Sequence, residues 1–271
     1  MVMRTLIASD FDRVYAAFVE AFSDYVVKLS PTYEQLVEMT TRRGYVPEAS
    51  AAIIEDDRIV AFTLNGIDGT SAYDTGTGVV PSHRRRGLGR ATMELSESHL
   101  RARGCTHYVL EVLEQNHAAH ALYLDCGFVE TRRLQCWTFE SQSLKASKSQ
   151  SSEASLRLCD FETLRLWWDI QPSWQNSTHS IERARDRHVL LGDDDSYAIL
   201  FPSNGDLAQL AVRPEARRRG IGTRLLHEAC AIANKPLRIM NVDDRDVGIA
   251  RFLERAGAKP MVRQIEMVKA L

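Results

Sequence analysis

The chain has 271 residues, 44% hydrophobic and 26% charged, with a net charge of −2. This is the composition of a globular protein of one large or two ordinary domains, and it excludes a disordered or collagen-like chain. A near-neutral balance also argues against general nucleic-acid binding, whose footprint is a strongly basic face.

Residues 2–7 read as a first strand. Ser9 and Asp12 predict a helix start, and Tyr15, Phe18, Val19 and Phe22 give that helix an apolar face. Ser30-Pro31 predicts a second helix, with Ser as cap and Pro at the first helical position. Residues 51–54 and 59–64 are β-rich runs around Glu55-Asp56-Asp57-Arg58, a hairpin pattern, and residues 65–69 are turn chemistry. Residues 73–80 form the next strand. It contains Gly76 and Gly78, and glycine inside a strand marks a bulge or a close backbone approach.

Val79-Val80-Pro81 then leads into a basic glycine turn, Arg84-Arg85-Arg86-Gly87-Leu88-Gly89-Arg90-Ala91-Thr92, and a helix with Leu88, Ala91 and Leu95 on one side. First-turn N–H groups have no intrahelical partner and the helix dipole favours negative charge, so this is an anion site by construction. Gly87 and Gly89 are expected to let a phosphate approach the backbone. A Walker loop is absent, and a Rossmann fingerprint would need Gly or Ala where Thr92 stands. Residues 107–113 read as a buried strand. Asn116, a helix over 117–126 and Gly127-Phe128 follow, then strands over 129–133 and 136–139.

Residues 141–155 are rich in Ser, Lys, Gln and Ala, with Leu144 the one large apolar side chain, and predict a linker. The second half repeats the layout: a strand over 156–158, helices over 161–170 and 176–187, and strands over 188–191, 196–201 and 207–212. Val212-Arg213-Pro214-Glu215-Ala216-Arg217-Arg218-Arg219-Gly220-Ile221-Gly222-Thr223 then carries the same Val, Pro, triple Arg and paired Gly. Similarity at half the chain length predicts a duplicated domain rather than a solenoid. A strand over 237–242, a helix over 247–255, Gly257 and a strand over 262–268 complete it. Trp174 either walls a pocket or anchors packing between domains.

Arg84-x2-Gly87-x-Gly89, followed by Asn116-x2-Ala119-x3-Tyr123-x3-Gly127-Phe128, resembles the two signature motifs of the GCN5-related N-acetyltransferases. The resemblance implies a mixed α/β (α+β-type) fold in two tandem domains, 1–140 and 156–271. Each is a mixed central sheet flanked by helices, with its fourth and fifth strands splayed and a pantetheine arm between them. It implies transfer of an acetyl group from acetyl-CoA to a small-molecule or peptide amine, by direct attack in a ternary complex and without a metal.

Arg84, Arg85, Arg86, Gly87, Leu88, Gly89, Arg90, Ala91 and Thr92 would form the pyrophosphate site. Val79 and Val80 would pair with the pantetheine arm, and Asn116 would position it. Tyr123 is the candidate acid for the leaving thiolate, and Asp74 and Glu111 are the candidates for the base. Tyr25 either borders the acceptor pocket or packs in the core. The second domain keeps a loop of Val212, Arg217, Arg218, Arg219, Gly220, Gly222 and Thr223. It has Asp246 at the place of Asn116 and Leu253 at that of Tyr123, so cofactor binding without turnover is expected there. The alternative for the whole chain is an acyl-CoA-binding pseudoenzyme or sensor.

Cys105, Cys126, Cys136, Cys159 and Cys230 show no Cys-x-x-Cys spacing and predict reduced thiols. No leader-like or membrane-length apolar run is present, so the expectation is a cytoplasmic protein without nucleic-acid or membrane partners.

Overall fold

The computed structural model describes residues 1–25, 27, 30–141 and 164–271. They fall into two units, Met1–Arg132 with Ile265–Leu271, and Arg133–Gln264. This differs from the division read from the sequence at both ends, because 133–140 belong to the second unit and 265–271 to the first. The linker at 142–155, the strand at 156–158 and the start of the helix at 161–170 lie outside the described residues.

In the first unit, β1 (Val2–Thr5), β2 (Ala51–Glu55), β3 (Arg58–Asp68) and β4 (Ser71–Val79) pair antiparallel in that order. β5 (His107–Leu113) runs parallel to β4. The C-terminal residues of the chain lie beside β5, where the Leu271 N–H bonds Thr106 O at 3.0 Å. Two local readings shift. Asp10, not Ser9, stands at the N-cap of α1 (Phe11–Ala21), but its carboxylate makes no cap bond to the helix and accepts from the Ile7 N–H and from Arg4 instead. Thr32 and Gln35, not Ser30 and Pro31, form the capping box of α2 (Tyr33–Arg42).

The expected turn at 65–69 is strand as far as Asp68, and Gly69 alone of these residues lies in the turn to β4, at φ 56°. Asn65 is fully buried, donating to Ala49 O and accepting from Tyr108 OH, so its polar atoms are satisfied without a turn. Gly66 is required because a Cβ there would stand 2.0 Å from Arg43 O.

α1 buries Val14, Ala17, Phe18 and Ala21 against Phe62 and Leu64 of β3 and Leu36 of α2. α3 (Leu88–Ala102) buries Met93 and Leu100 against Tyr108 and Leu110 of β5 and Tyr123 of α4 (His117–Asp125). Each fully buried side chain of this size contributes about 1.5–3 kcal/mol.

Two features of β4 create the site. Leu64 faces Gly76 and Asn65 faces Asp74, so Thr75 is an extra residue and β4 bulges there. Pairing between β4 and β5 covers Ser71, Ala72 and Tyr73 with His107, Tyr108 and Val109. Beyond those residues the strands part, which is the splay that the resemblance implied.

The expected strands at 129–133 and 136–139 are one strand, β6 (Val129–Phe139), divided between the units. In the second unit β7 (Val189–Asp193), β8 (Ser196–Phe201) and β9 (Asp206–Val212) pair antiparallel. β10 (Leu237–Asp243) pairs parallel with β9 through Arg238 and Asp206, and antiparallel with β6. Ala208 is the extra residue of β9, as Thr75 is of β4. The predicted helix over 176–187 is broken, and α5 is Thr178–Arg183 alone. α6 (Ile221–Ala233) and α7 (Val247–Ala256) pack Leu225, Leu226, Ala229 and Leu253 into one core with Leu200 and Leu207. β11 (Lys259–Ala270) ends the chain and is likewise divided between the units.

Cys105, Cys126, Cys136 and Cys230 are free thiols, and Cys159 lies outside the described residues. Among the described residues no helix is long and apolar enough to cross a membrane.

Candidate active site

Both glycine turns have the same backbone. Gly87 caps α3 at φ 77° and Gly220 caps α6 at φ 80°, with Arg85 and Arg218 also left-handed at 61° and 66°. Glycine takes this conformation without the Cβ penalty. The second glycine serves differently from the expectation. A Cβ on Gly89 would stand 3.3 Å from Leu122 of α4, and one on Gly222 would stand 3.3 Å from Phe252 of α7. Gly89 therefore lies close against α4, and the first-turn N–H groups of Leu88, Gly89 and Arg90 are the ones with no intrahelical partner.

The first arginine of each triplet is a clamp. Arg84 holds Asp24 with two 2.7 Å bonds and donates to Ala21 O and Val79 O. Arg217 holds Asp169 through Nη1 alone, at 3.1 and 2.8 Å from its two oxygens, and donates to Trp167 O and Val212 O. Arg90 pairs with Asp125 and Arg86 with Ser82 O, while Arg85 is exposed at the turn. Ala91 packs with Val79, Leu88 and Val80. Thr92 is fully buried and faces inward. The Val80 N–H is taken by Val60 O, so ladder alternation turns the Val79 N–H away from β3, to the side on which β4 and β5 part.

Asp74 and Tyr123 meet beside that opening. Tyr123 OH donates to Asp74 Oδ2 at 3.4 Å, and Asp74 also accepts from Thr77 Oγ1 at 2.7 Å and from the Gly76 N–H at 2.8 Å. Residues three apart on a strand normally face opposite sides, and the bulge at Thr75 brings Asp74 and Thr77 onto one side. Burial pushes the Asp74 carboxyl up to about 6, against the opposing bonds from Thr77, Gly76 and Tyr123. Burial likewise pushes the Tyr123 phenol well above its usual range, so it holds its proton.

Glu111 is not brought to Tyr123. It accepts from Tyr73 OH at 3.0 Å, and alternation puts Tyr73 and Glu111 on the opposite face of the sheet from Asp74. Arg43 lies over the Tyr73 ring at 5.8 Å and donates to Thr75 O, the carbonyl of the bulge. Burial raises the Glu111 carboxyl, with the Arg43 charge opposing. Asn116 caps α4 by accepting from the Ala119 N–H and donates to Tyr25 OH at 3.4 Å, which places Tyr25 at the site. Sequence reasoning missed Arg43 and Thr77. The one signal for Thr77 was the pair of glycines marking the bulge.

The Acetyltransferase (GNAT) family pattern matches residues 11–128, and the Acetyltransferase (GNAT) domain pattern matches residues 185–257. The chain is a tandem member of the GNAT acetyltransferase family. It is 36% identical over 91 residues to aminoglycoside N(6')-acetyltransferase type 1 of Klebsiella aerogenes, covering 34% of this chain and 60% of that protein. It is 40% identical over 75 residues to the [ribosomal protein bS18]-alanine N-acetyltransferase of Salmonella typhimurium, covering 28% of this chain and 51% of that protein. The matches thus span about half of these relatives. A tandem GNAT protein from the clavulanic acid biosynthesis pathway shares the fold at 15% identity, with a TM-score of 0.65 over 99% of this chain and 98% of that one.

In the second GNAT unit the three acid–base candidates have no counterpart. Equivalent strand and helix positions hold Leu207 for Asp74, Asn241 for Glu111 and Leu253 for Tyr123. Asp246 keeps the cap that Asn116 makes, accepting from the Ile249 N–H at 3.0 Å. An open cleft of about 760 Å³ is lined by Leu210, Arg218, Gly220, Thr223 and Asp246, with Trp167 and Trp168 on its wall. Trp174, singled out in the sequence, does not line it.

Proposed function

We propose that the first unit transfers the acetyl group of acetyl-CoA to an amine, and that the second unit keeps an anion-binding cleft without the chemistry. The observation that carries this reading is the Asp74–Tyr123 pair, buried at the parting of β4 and β5 beside the α3 turn. The residues fit acetyl-CoA: the α3 turn offers N–H donors to a pyrophosphate, and the freed edge of β4 offers backbone groups to a pantetheine arm. Acetyl-CoA supplies an activated thioester carbonyl and a thiolate leaving group.

The chain's residues then have two proton tasks. The amine loses a proton as its nitrogen forms the bond to the carbonyl carbon, and the departing sulfur gains one. Tyr123 gives its proton to the sulfur. Asp74, when protonated, returns one to the phenol oxygen, which avoids leaving a phenolate beside a carboxylate. Glu111, on the other face and with its affinity for protons raised by burial, accepts the amine proton directly or through water. The Val79 N–H polarises the thioester carbonyl.

The acceptor classes to try first are amino-sugar amines and peptide N-terminal amines, since relatives act on an aminoglycoside and on an alanine of a ribosomal protein. Acetyl-CoA-dependent thiol release over a panel of such amines tests the reading. Release with no amine in a panel of both classes, alongside tight CoA binding, would instead favour an acyl-CoA-binding protein.

A further inference from the structure

Three threonine hydroxyls, one half-buried and two fully buried, remain outside the chemistry described above. Thr77 Oγ1 lies 2.7 Å from Asp74 Oδ2 and 3.1 Å from Thr63 Oγ1. Thr63 Oγ1 lies 2.9 Å from Thr92 Oγ1, which lies 3.0 Å from Gly89 O. Thr63 and Thr92 are fully buried. This row runs unbroken from the Asp74 carboxyl to the first turn of α3.

Each hydroxyl has a single proton to give. The row therefore has two self-consistent orders. An ionised Asp74 can only accept, so Thr77 donates to it, Thr63 to Thr77 and Thr92 to Thr63. A neutral Asp74 carrying its proton on Oδ2 donates to Thr77, Thr77 to Thr63, Thr63 to Thr92 and Thr92 to Gly89 O. Any mixed order leaves two oxygens facing each other with no proton between them, or two protons opposed. The Gly89 carbonyl shares a peptide unit with the Arg90 N–H, one of the donors of the anion site. A bond accepted at that carbonyl polarises the peptide and strengthens the N–H.

The second unit is an internal control. At the positions of Asp74, Thr77, Thr63, Thr92 and Tyr123 it has Leu207, Leu210, Ala198, Leu225 and Leu253, all in or against one apolar cluster. The fold is thus built equally well without the hydroxyls. Replacing hydrogen-bonded partners together by apolar groups is close to neutral for stability. The row is present where the acid pair is present and absent where it is absent.

We propose that Thr63, Thr77 and Thr92 are positioning residues, a reversible row of hydroxyls that couples protonation of Asp74 to anion binding at the α3 turn. This rests on the first unit being the active one. The other titratable and charged groups around Asp74 are Tyr123 from α4, Tyr108 from β5, Tyr73 beside it on β4 and Arg43 at the end of α2. None of them is altered by a change at Thr63.

The test is the ¹³C carboxyl resonance of Asp74, assigned by its loss in Asp74→Asn, titrated with and without CoA. It is run on the full chain, on Thr63→Val and on Thr63→Ser. A bound pyrophosphate raises the Asp74 pKa through space in every form. The row adds a further rise where it is unbroken. The CoA-induced rise is therefore larger in the wild type and Thr63→Ser than in Thr63→Val, and Thr92→Val, broken at the far end, behaves like Thr63→Val. Equal rises in all four forms, or no rise in the wild type, overturn the coupling. If CoA leaves the Leu88, Gly89 and Arg90 amide resonances unmoved, the anion site itself is wrong and the coupling falls with it, a failure distinct from equal rises with responsive amides.

Discussion

Tyr123 and Asp74 lie 3.4 Å apart in a buried pair, and the equivalent Leu253 and Leu207 of the second unit share one apolar cluster. Two tandem copies of one fold thus differ at the point where proton transfer is needed. They agree at the glycine turn, where only backbone donors are needed. That contrast separates what the fold requires from what the reaction requires.

The buried Asp74 carboxyl makes stability depend on pH. Its folded pKa of about 6 stands above the usual 3.8, so its favourable contribution is complete below 3.8 and is lost as pH rises through 6. The gap corresponds to about 3 kcal/mol. Asp74→Asn removes this dependence. Relative to wild type, the variant should gain stability between pH 4 and pH 7.5, by up to that amount in chemical denaturation. A difference that is flat with pH would show Asp74 ionised in the folded protein at pH 4.

The two carboxyls should separate kinetically. Glu111→Gln removes the proposed base and should lower kcat by about 100-fold or more above the acid limb of the profile, with the difference narrowing at low pH, where Glu111 of the wild type is itself protonated. Tyr73→Phe removes only the 3.0 Å bond to Glu111 and should shift the acid limb of the pH–rate profile with a smaller loss of rate. An unchanged profile in both variants assigns the base elsewhere.

Arg84 should act on the order of the turn rather than on the anion. Arg84→Lys keeps the positive charge but loses the paired hydrogen bonds to Asp24 and the bond to Ala21 O. Amide exchange at residues 85–90 should accelerate while the rest of the unit is unchanged. Asp24→Asn should reproduce the effect, although it deletes no positive charge. If Asp24→Asn leaves exchange unaltered and Arg84→Lys weakens CoA binding, Arg84 is a direct ligand.

The two glycines of the first loop should fail in different ways. Gly87→Val strains a left-handed residue with open space around its Cβ, and should weaken CoA binding with little loss of stability beyond about 1–2 kcal/mol. Gly89→Val drives a side chain towards Leu122 and should also lower the melting temperature. Equal melting temperatures for the two variants would contradict the packing role of Gly89.

Much of this was legible in the sequence because it is local. Spacing located both glycine turns, Asn116 and Tyr123, and Gly76 with Gly78 flagged the distorted strand. The Thr row was not legible. Thr63, Thr77 and Thr92 lie on three elements, and Asp74 and Thr77 share a face only because of one extra residue. Arg84 reads as a phosphate ligand beside two other arginines, and only the folded chain brings Asp24 to it. The division of β6 and β11 between the units is a matter of pairing between residues 120 or more apart, for which strand patterns carry no partner information. Asn65-Gly66 was misjudged because a buried asparagine with satisfied amide atoms has the composition of a turn.

If chemistry belongs to the first unit alone, turnover with a reactive amine must respond to one loop's unit and not to the other's. Tyr123→Phe keeps the ring in its cluster and deletes the hydroxyl, while Gly220→Val disrupts the second turn. Tyr123→Phe should lower kcat by about 100–10,000-fold with CoA affinity unchanged, and Gly220→Val should keep most of the wild-type rate. Wild-type turnover in Tyr123→Phe together with a dead Gly220→Val would contradict that assignment and move the reaction to the second unit.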